Sequence, residues 1–243
     1  SPPFIGQLIH RMIRNKTKIA DPYADVKNQF NRELLTRYSV LKYLVDHAND
    51  PLETAVRLSI AGNGIDLGIH SQIATTDIQN AIDHALCDPL YWDKSEFIEA
   101  VNRARSILYL ADNAGEIVLD RLLIEQLPLE KITLVVRGFP ILNDVTLDDA
   151  REVGLSNIVN VMDNGSDAPG TILSDCCDDF IHRFEQADMV ISKGQGNYET
   201  LSEVEKEVFF ILKVKCVVIA RHIGCQVGDM ICQNAKRMTT LSV

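Results

Sequence analysis

The residues best suited to chemistry fall in three polar segments, each directly after a short apolar run. The first is Asp112-Asn113-Ala114-Gly115-Glu116, following Ile107 to Leu110. A carboxylate and an amide offer two hard oxygen ligands. A glycine before the amphipathic positions Ile117, Leu119, Leu122 and Leu123 places them at a helix start, where backbone N–H groups attract anions. A divalent cation carrying a phosphate needs that combination, although Asp112 or Asn113 would also serve simply as a helix cap. The second segment, after Ile132 to Val136, runs from Arg137-Gly138 to Asn143-Asp144-Val145-Thr146. Arg137 could grip a phosphate or sugar acid, and Asp144 could give a metal its second carboxylate. Equally, Arg137 suits a surface ion pair and Asn143-Asp144 a plain turn. Thr146 and Asp149 have the spacing of a capping box, so a helix is expected to start there. The third segment, Lys193-Gly194-Gln195-Gly196-Asn197 after Met189 to Ile191, sets an ammonium beside a glycine loop whose N–H groups could surround a phosphate. It is not a P-loop, because the lysine precedes the glycines, and it is not a dinucleotide fingerprint, because Glu199 stands where the third glycine belongs.

Other chemistries find little support. The six histidines show no pair at zinc-ligand spacing, and no Gly-x-Ser-x-Gly is present. A phosphatase acting through an aspartyl-phosphate commonly has a second Asp two residues after the first, where this chain has Ala114. That favours attack by a metal-activated water. The segment Asp163 to Gly170 reads by composition as a mobile linker more than as a substrate loop.

The elements that must position these residues follow from periodicity. From Tyr23 to about Ile98, apolar residues recur at three and four positions (Leu34, Leu35, Tyr38, Leu41, Leu44, Val45), which predicts helices, one of them opening at Pro51 and stopped by Gly62 and Gly64. Asp77 and Asp93 stand where further helices could be capped. After Arg105 the runs 107–110, 132–136, 158–162, 189–191 and 216–220 alternate with helical stretches, as in a parallel sheet covered on both faces. The expected architecture is a three-layer α/β/α Rossmann-like domain over 101–243 with a mainly parallel sheet, preceded by an all-helical N-terminal domain over 1–100. Ligands of such sheets bind at the carboxyl ends of the strands, where the polar segments lie.

Composition bounds the partners. With 24 basic and 34 acidic residues the net charge is -10, which opposes nucleic-acid binding, and the basic cluster Arg11 to Lys18 reads as a solvated helix face. Six cysteines without Cys-x-x-Cys spacing read as reduced, mostly buried thiols. No apolar run reaches the ~18 residues of a membrane helix. A cytoplasmic protein with no membrane or nucleic-acid partner is expected; its oligomeric state is left open.

The segments Ala-Asp-Asn-Ala-Gly-Glu, Arg-Gly-Phe-Pro-Ile-Leu-Asn-Asp-Val-Thr and Ser-Lys-Gly-Gln-Gly-Asn-Tyr-Glu closely resemble those of the damage-control phosphatase family, formerly domain-of-unknown-function family 89. The resemblance extends back to Ala61-Gly62-Asn63-Gly64-Ile65-Asp66-Leu67-Gly68 and so covers most of the chain. It implies a helical part before an α/β/α part and a divalent metal held by Asp112, Asn113 and Asp144. It also implies hydrolysis of small phosphorylated metabolites such as sugar phosphates, with Lys193 near the phosphate. The Cys-x-x-Cys that prokaryotic members often carry near their start is not present.

On this reading Asp112, Asp144 and Lys193 carry catalysis, with Lys193 and the Gly194 to Asn197 backbone neutralising developing charge. Asn63, Asp66, Glu116, Arg137, Asn143, Gly194, Gly196 and Asn197 contact substrate, although Asn63 and Asp66 would equally serve to end and cap a helix. Magnesium suits an oxygen-rich site, and manganese, cobalt or nickel would serve as well. Two alternatives are an S-adenosylmethionine-dependent methyltransferase, which lacks its usual glycine-rich loop here, and a non-catalytic sugar-phosphate-binding protein.

Overall fold

A computed structural model describes residues 1–64 and 75–238. The chain begins with α1 (Pro2–Thr17), α2 (Ala24–Asp46), α3 (Pro51–Gly64) and α4 (Thr75–Cys87). A short strand, β1 (Leu90–Trp92), then precedes α5 (Lys94–Arg103), β2 (Ile107–Leu110), α6 (Glu116–Ile124), β3 (Ile132–Val136), α7 (Leu147–Glu152) and β4 (Asn160–Asp163). The remainder is α8 (Asp178–Gln186), β5 (Met189–Lys193), α9 (Gly194–Leu201), β6 (Val208–Lys213), α10 (Val217–Ile223), β7 (Met230–Asn234) and α11 (Ala235–Met238).

Among the described residues seven strands form one sheet in the order β1-β7-β6-β5-β2-β3-β4. Every pairing is parallel except β6 with β7. Strand faces alternate as the pleat requires. Ile107 and Tyr109 of β2 join a core with Phe30, Val56, Phe97, Ile117 and Leu122, drawn from α2, α3, α5 and α6. Leu108 and Leu110 join the opposite core with Phe180, Tyr198, Leu201 and Ile219, drawn from α8, α9 and α10. Helices thus cover both faces, as expected of the Rossmann-like class. The order reverses at β2: the chain moves outward through β3 and β4, then returns to place β5 on the other side. The carboxyl ends of β2 and β5 are therefore a topological switch point, the usual ligand crevice of such sheets.

Several local expectations need correction. Residues 216–220 are not a strand: Cys216 caps α10, whose buried positions Ile219, Ala220 and Ile223 keep helical spacing while Val217 and Val218 are exposed. A run of four or five apolar residues fits either state, and the strand on this side is β6, at Val208–Lys213. The helical reading of 23–98 misses β1, whose residues Leu90, Tyr91 and Trp92 pair with Met230, Ile231 and Cys232. The strand expected at 158–162 starts later, at Asn160, after a single 3-10 turn over Leu155–Asn157.

Three surface readings change as well. The loop after β4 is no loose linker, since Asn164, Ser166, Asp167 and Ala168 are all buried. What holds it is α1. Gln7 donates to Asp167 at 2.7 Å and to Asp175 at 2.6 Å, and Arg11 and Arg14 both pair with Asp167. The basic cluster is thus only partly a solvated face: Arg11 and Arg14 reach Asp167 while Lys16 and Lys18 stay exposed, and α1 also exposes Phe4, Ile5, Leu8, Ile9 and Met12. All six cysteines are free, as expected, but only Cys232 is buried. The expected capping box is present, with Asp149 Oδ2 accepting from Thr146 N and Oγ1 at 2.8 Å each. Among the described residues no helix is long and apolar enough to cross a membrane.

Candidate active site

Asp112 follows β2 in the short link to α6, and the loop after β3 folds back against that link. Val145 N donates to Asp112 O at 2.9 Å and Ala114 N to Asn143 O at 2.8 Å, forming an isolated antiparallel bridge between Asn113 and Asp144. Backbone bonds therefore carry the second carboxylate to the first. The return turn, closed by Asp144 N donating to Ile141 O, puts Leu142 at φ 47°, a left-handed conformation that costs a branched residue about 1–2 kcal/mol and collects at functional sites.

Arg137 lies between the two acids and is 2% exposed. Its Nε donates to Asp144 Oδ2 at 2.7 Å, and its buried Nη2 stands 3.8 Å from Asp112 Oδ1 with no hydrogen-bond partner among the described residues. A guanidinium nitrogen left unpaired away from water is costly and suits an anion arriving from outside. The other side of Asp112 is lined by amides. Asn63 of α3 and Asn113 both donate to Asp112 Oδ2, at 3.0 and 2.7 Å, and both reach Glu116 Oε2, at 3.3 and 3.0 Å. Asn63 is held in turn by Lys213 N, which donates to its Oδ1 at 3.1 Å.

Gly194 opens α9 against this group. With φ 76° it needs glycine's backbone freedom, and a Cβ there would overlap Oδ2 of Asp112. The expected glycine loop is therefore the first turn of a helix, and that turn packs directly against the Asp112 carboxylate. Gly62 is constrained likewise: a Cβ would lie 2.7 Å from Cα of Glu116, so α3 and α6 meet backbone to backbone.

The charges are crowded. Burial, then the charges of Glu116 and Asp144, push the Asp112 carboxyl well above its usual range against the opposing pull of Arg137 and Lys215. Asp144 is pushed up by burial too, with Arg137 opposing. Beneath them, Glu116, Asp120 and Lys193 are fully buried together. Lys193 Nζ donates to Glu116 Oε1 at 2.6 Å, to Asp120 Oδ1 at 2.6 Å and to Ser59 O at 3.0 Å, which uses all three of its protons. Tyr109 OH donates to the same Asp120 oxygen at 2.9 Å.

The fold thus gathers Asn63, Asp112, Asn113, Glu116, Arg137, Asp144 and Gly194. Lys193 is one layer lower, with its ammonium spent on carboxylates. Asn143 contributes its backbone carbonyl, and Gly196 packs on the Pro169 carbonyl, where a Cβ would come within 2.5 Å. Asn197 fastens the site floor: its amide donates to Ala111 O at 3.2 Å and Lys193 O at 2.8 Å, and its oxygen accepts from Thr171 Oγ1 at 2.8 Å. Asp66 lies outside the described residues. Sequence reasoning missed Lys213 and Lys215 at the end of β6; the strand-end rule applied to the apolar run 208–212 would have found them. It also missed Tyr109 and Asp120, which read in sequence as ordinary strand and helix positions.

Two carboxylates and an amide are an oxygen set fit for a hard divalent cation that keeps further positions for water or phosphate oxygen. The crowding of Asp112 by Glu116 and Asp144 fits it too, since a cation would relieve that repulsion. Among the described residues no three His, Cys, Asp or Glu side chains form a ready-made cage, so the amide and outside oxygens would have to complete the shell.

Comparison with known proteins gives the same direction. The model of the damage-control phosphatase ARMT1-like domain matches residues 1–231. An uncharacterized protein of Methanocaldococcus jannaschii is 37% identical over 241 residues, spanning 94% of this chain and 78% of its own. A damage-control phosphatase of Archaeoglobus fulgidus is 36% identical over 228 residues, spanning 92% of this chain and 79% of its own. A crystal structure described as a DUF89 family protein of Pyrococcus horikoshii superposes with a TM-score of 0.83 at 32% identity, covering 94% of this chain and 80% of that one.

Proposed function

This chain belongs to the damage-control phosphatase ARMT1-like domain family, and on that premise we propose that it is a metal-dependent phosphatase of small phosphorylated metabolites, with sugar phosphates as the first class to test. The observation that carries the reading is the pairing of Asp112 and Asp144 across the Asn113 bridge, with the unpartnered Nη2 of Arg137 between them. Asp112, Asn113 and Asp144 would hold the cation. Bound there, a divalent ion supplies charge neutralisation at the phosphate and makes a nearby water more acidic.

The chain's own residues supply the rest. Arg137 Nη2 donates to a phosphate oxygen, while Nε holds the Asp144 carboxyl in its direction. The N–H groups that open α9 face the charge developing on the phosphoryl oxygens. Lys215, exposed after β6 and close enough to act on the Asp112 carboxyl, draws the anionic substrate in. Glu116, held at Oε1 by Lys193, has Oε2 on the side of Asn63 and Asn113; there it would take the proton of the attacking water as the bond from phosphorus to the ester oxygen breaks, and return it to that leaving oxygen, releasing alcohol and inorganic phosphate. Lys193, expected at the phosphate, takes a supporting part: it neutralises Glu116 from below.

The test is phosphate release from a panel of sugar phosphates and an aryl phosphate, with metal-stripped protein refilled separately with magnesium, manganese, cobalt or nickel. Metal-dependent release that disappears in Asp112→Ala is expected. Silence across the panel from protein that demonstrably binds metal would overturn the enzyme reading in favour of a metabolite-binding protein.

A further inference from the structure

Behind the proposed proton acceptor Glu116 lies a second polar layer that substrate cannot reach. Tyr109 stands in β2, Asp120 on the next turn of α6 after Glu116, and Lys193 at the end of β5; all four side chains are 0% exposed. Hydrogen bonds join them in line, from Tyr109 OH to Asp120 Oδ1, from Lys193 Nζ to the same oxygen, and from Lys193 Nζ to Glu116 Oε1. The Cys232 thiol of β7 adjoins the group, and burial pushes it up, so it stays neutral. Two carboxyl groups surround one ammonium, so the cluster holds more acids than bases. Taking such groups out of water is costly, and mutual attraction repays it only with near-complete hydrogen bonding. Among the described residues that bonding is incomplete, because Asp120 Oδ2 is buried with no partner. For stability alone, Glu116 and Lys193 would make a neutral pair without Asp120. Burial pushes the Asp120 carboxyl up to about 7 against the pull of Lys193, and a third ionisable group retained at such a cost points to a requirement of the site above.

We propose that Asp120, backed by Tyr109, is a positioning residue for the phosphatase reaction: it draws Lys193 down so that the ammonium engages only Oε1 of Glu116 and leaves Oε2 turned to Asn63, Asn113 and the site. This rests on the phosphatase reading of the same site. Without Asp120 the ammonium keeps its bonds to Ser59 O and Glu116 and is free to swing across both oxygens of Glu116. The carboxylate would then lose its fixed direction, and misplacements of about 1 Å in a catalytic group cost up to ~100-fold in rate.

The experiment uses Asp120→Asn, which keeps shape and removes charge, and Tyr109→Phe, which removes one hydroxyl, each alone and in a Glu116→Gln background. Hydrolysis of an aryl phosphate is followed with saturating manganese, well below each variant's melting temperature. Asp120→Asn should lower kcat by about tenfold and Tyr109→Phe by about threefold, with KM within about twofold. In Glu116→Gln both effects should shrink to within about twofold, because residues acting through one another are not additive. Manganese affinity, read by calorimetry, should stay within about threefold, since the oxygen set is untouched. Unchanged kcat in both variants, equal losses with and without Glu116, or loss of manganese binding would each overturn the inference. Should Asp120→Asn fail to fold, Tyr109→Phe carries the same comparison. An active wild type with unaffected variants sinks this inference alone; a wild type inactive with every metal sinks the phosphatase reading and this inference with it.

Discussion

Gly194 and Asp112 occupy adjoining space, the Cα of one facing the carboxylate oxygen Oδ2 of the other with no room for a methyl group between them. The contact joins the end of β5 to the end of β2 across the switch point of the sheet. Gly194→Ala must therefore shift the carboxylate or the first turn of α9, and it also forces a side chain onto φ 76°. A stability loss of about 1–3 kcal/mol is expected. Catalytic loss of about 100-fold or more should exceed what that instability explains. Denaturant melts beside steady-state rates would check it, and a variant with normal turnover would show that the Asp112 geometry is not critical.

Asp112 itself gives a prediction of opposite sign for stability and activity. Burial and the charges of Glu116 and Asp144 raise its folded pKa, so the unfolded chain gives up that proton more readily and the metal-free protein loses stability as pH rises from the ordinary carboxylate range through the raised folded value. Asp112→Asn should thus raise the metal-free melting temperature at neutral pH by roughly 2–4 °C, for about 1 kcal/mol recovered, while activity falls to background. Scanning calorimetry with and without manganese tests both halves. A wild type that manganese does not stabilise would contradict the assigned ion site.

The two cations proposed to meet the substrate differ in what they support. Arg137 is buried against Asp144, so Arg137→Ala leaves an unpaired buried carboxylate and should cost about 3–5 kcal/mol of stability. Lys215 is exposed and its removal should leave stability within about 0.5 kcal/mol. Lys215→Ala should raise KM about three- to tenfold with kcat nearly unchanged, and the effect should fade as salt is added. Salt-independent kinetics in that variant would remove Lys215 from substrate capture.

Asp167 supplies a pH dependence remote from the proposed metal ligands. Burial opposes its ionisation, but hydrogen bonds from Arg11 and Gln7, with the charges of Arg11 and Arg14, hold its carboxyl below the ordinary value. A folded pKa below the unfolded one stabilises fully above about pH 4 and is lost as pH falls through the lower folded value. Amides of α1 should therefore stay protected at neutral pH and exchange faster only under strongly acid conditions. Asp167→Asn should speed their exchange by about tenfold at pH 7; protection equal to wild type would mean that apolar packing, not this clamp, holds α1.

Much of the site was legible because strand ends in such sheets are where ligands bind. The three polar segments after β2, β3 and β5 were found by that rule, and so were Asp112, Asn113, Arg137 and Asp144. The short apolar runs were harder. Residues 217–220 and 208–212 look alike in sequence, and only the exposure of Val217 and Val218 against the burial of Phe209 and Ile211 tells helix from strand. β1 was hidden because three residues cannot display an alternation. The role of Lys193 could not be foreseen either, since its carboxylate partners lie 77 and 73 residues away in sequence.

The bridge between Asn113 and Asp144 is made of main-chain atoms alone. Its spacing therefore does not depend on which side chains it displays, and the display can be exchanged while the frame stays put. Replacing Asp144 by histidine, together with Arg137 by a neutral residue of similar bulk, would offer a softer nitrogen donor on the same frame and bias the ion bound toward zinc. The fold is in this sense a fitting with interchangeable tips, and changes of metal among related chains need involve no rebuilding of the sheet.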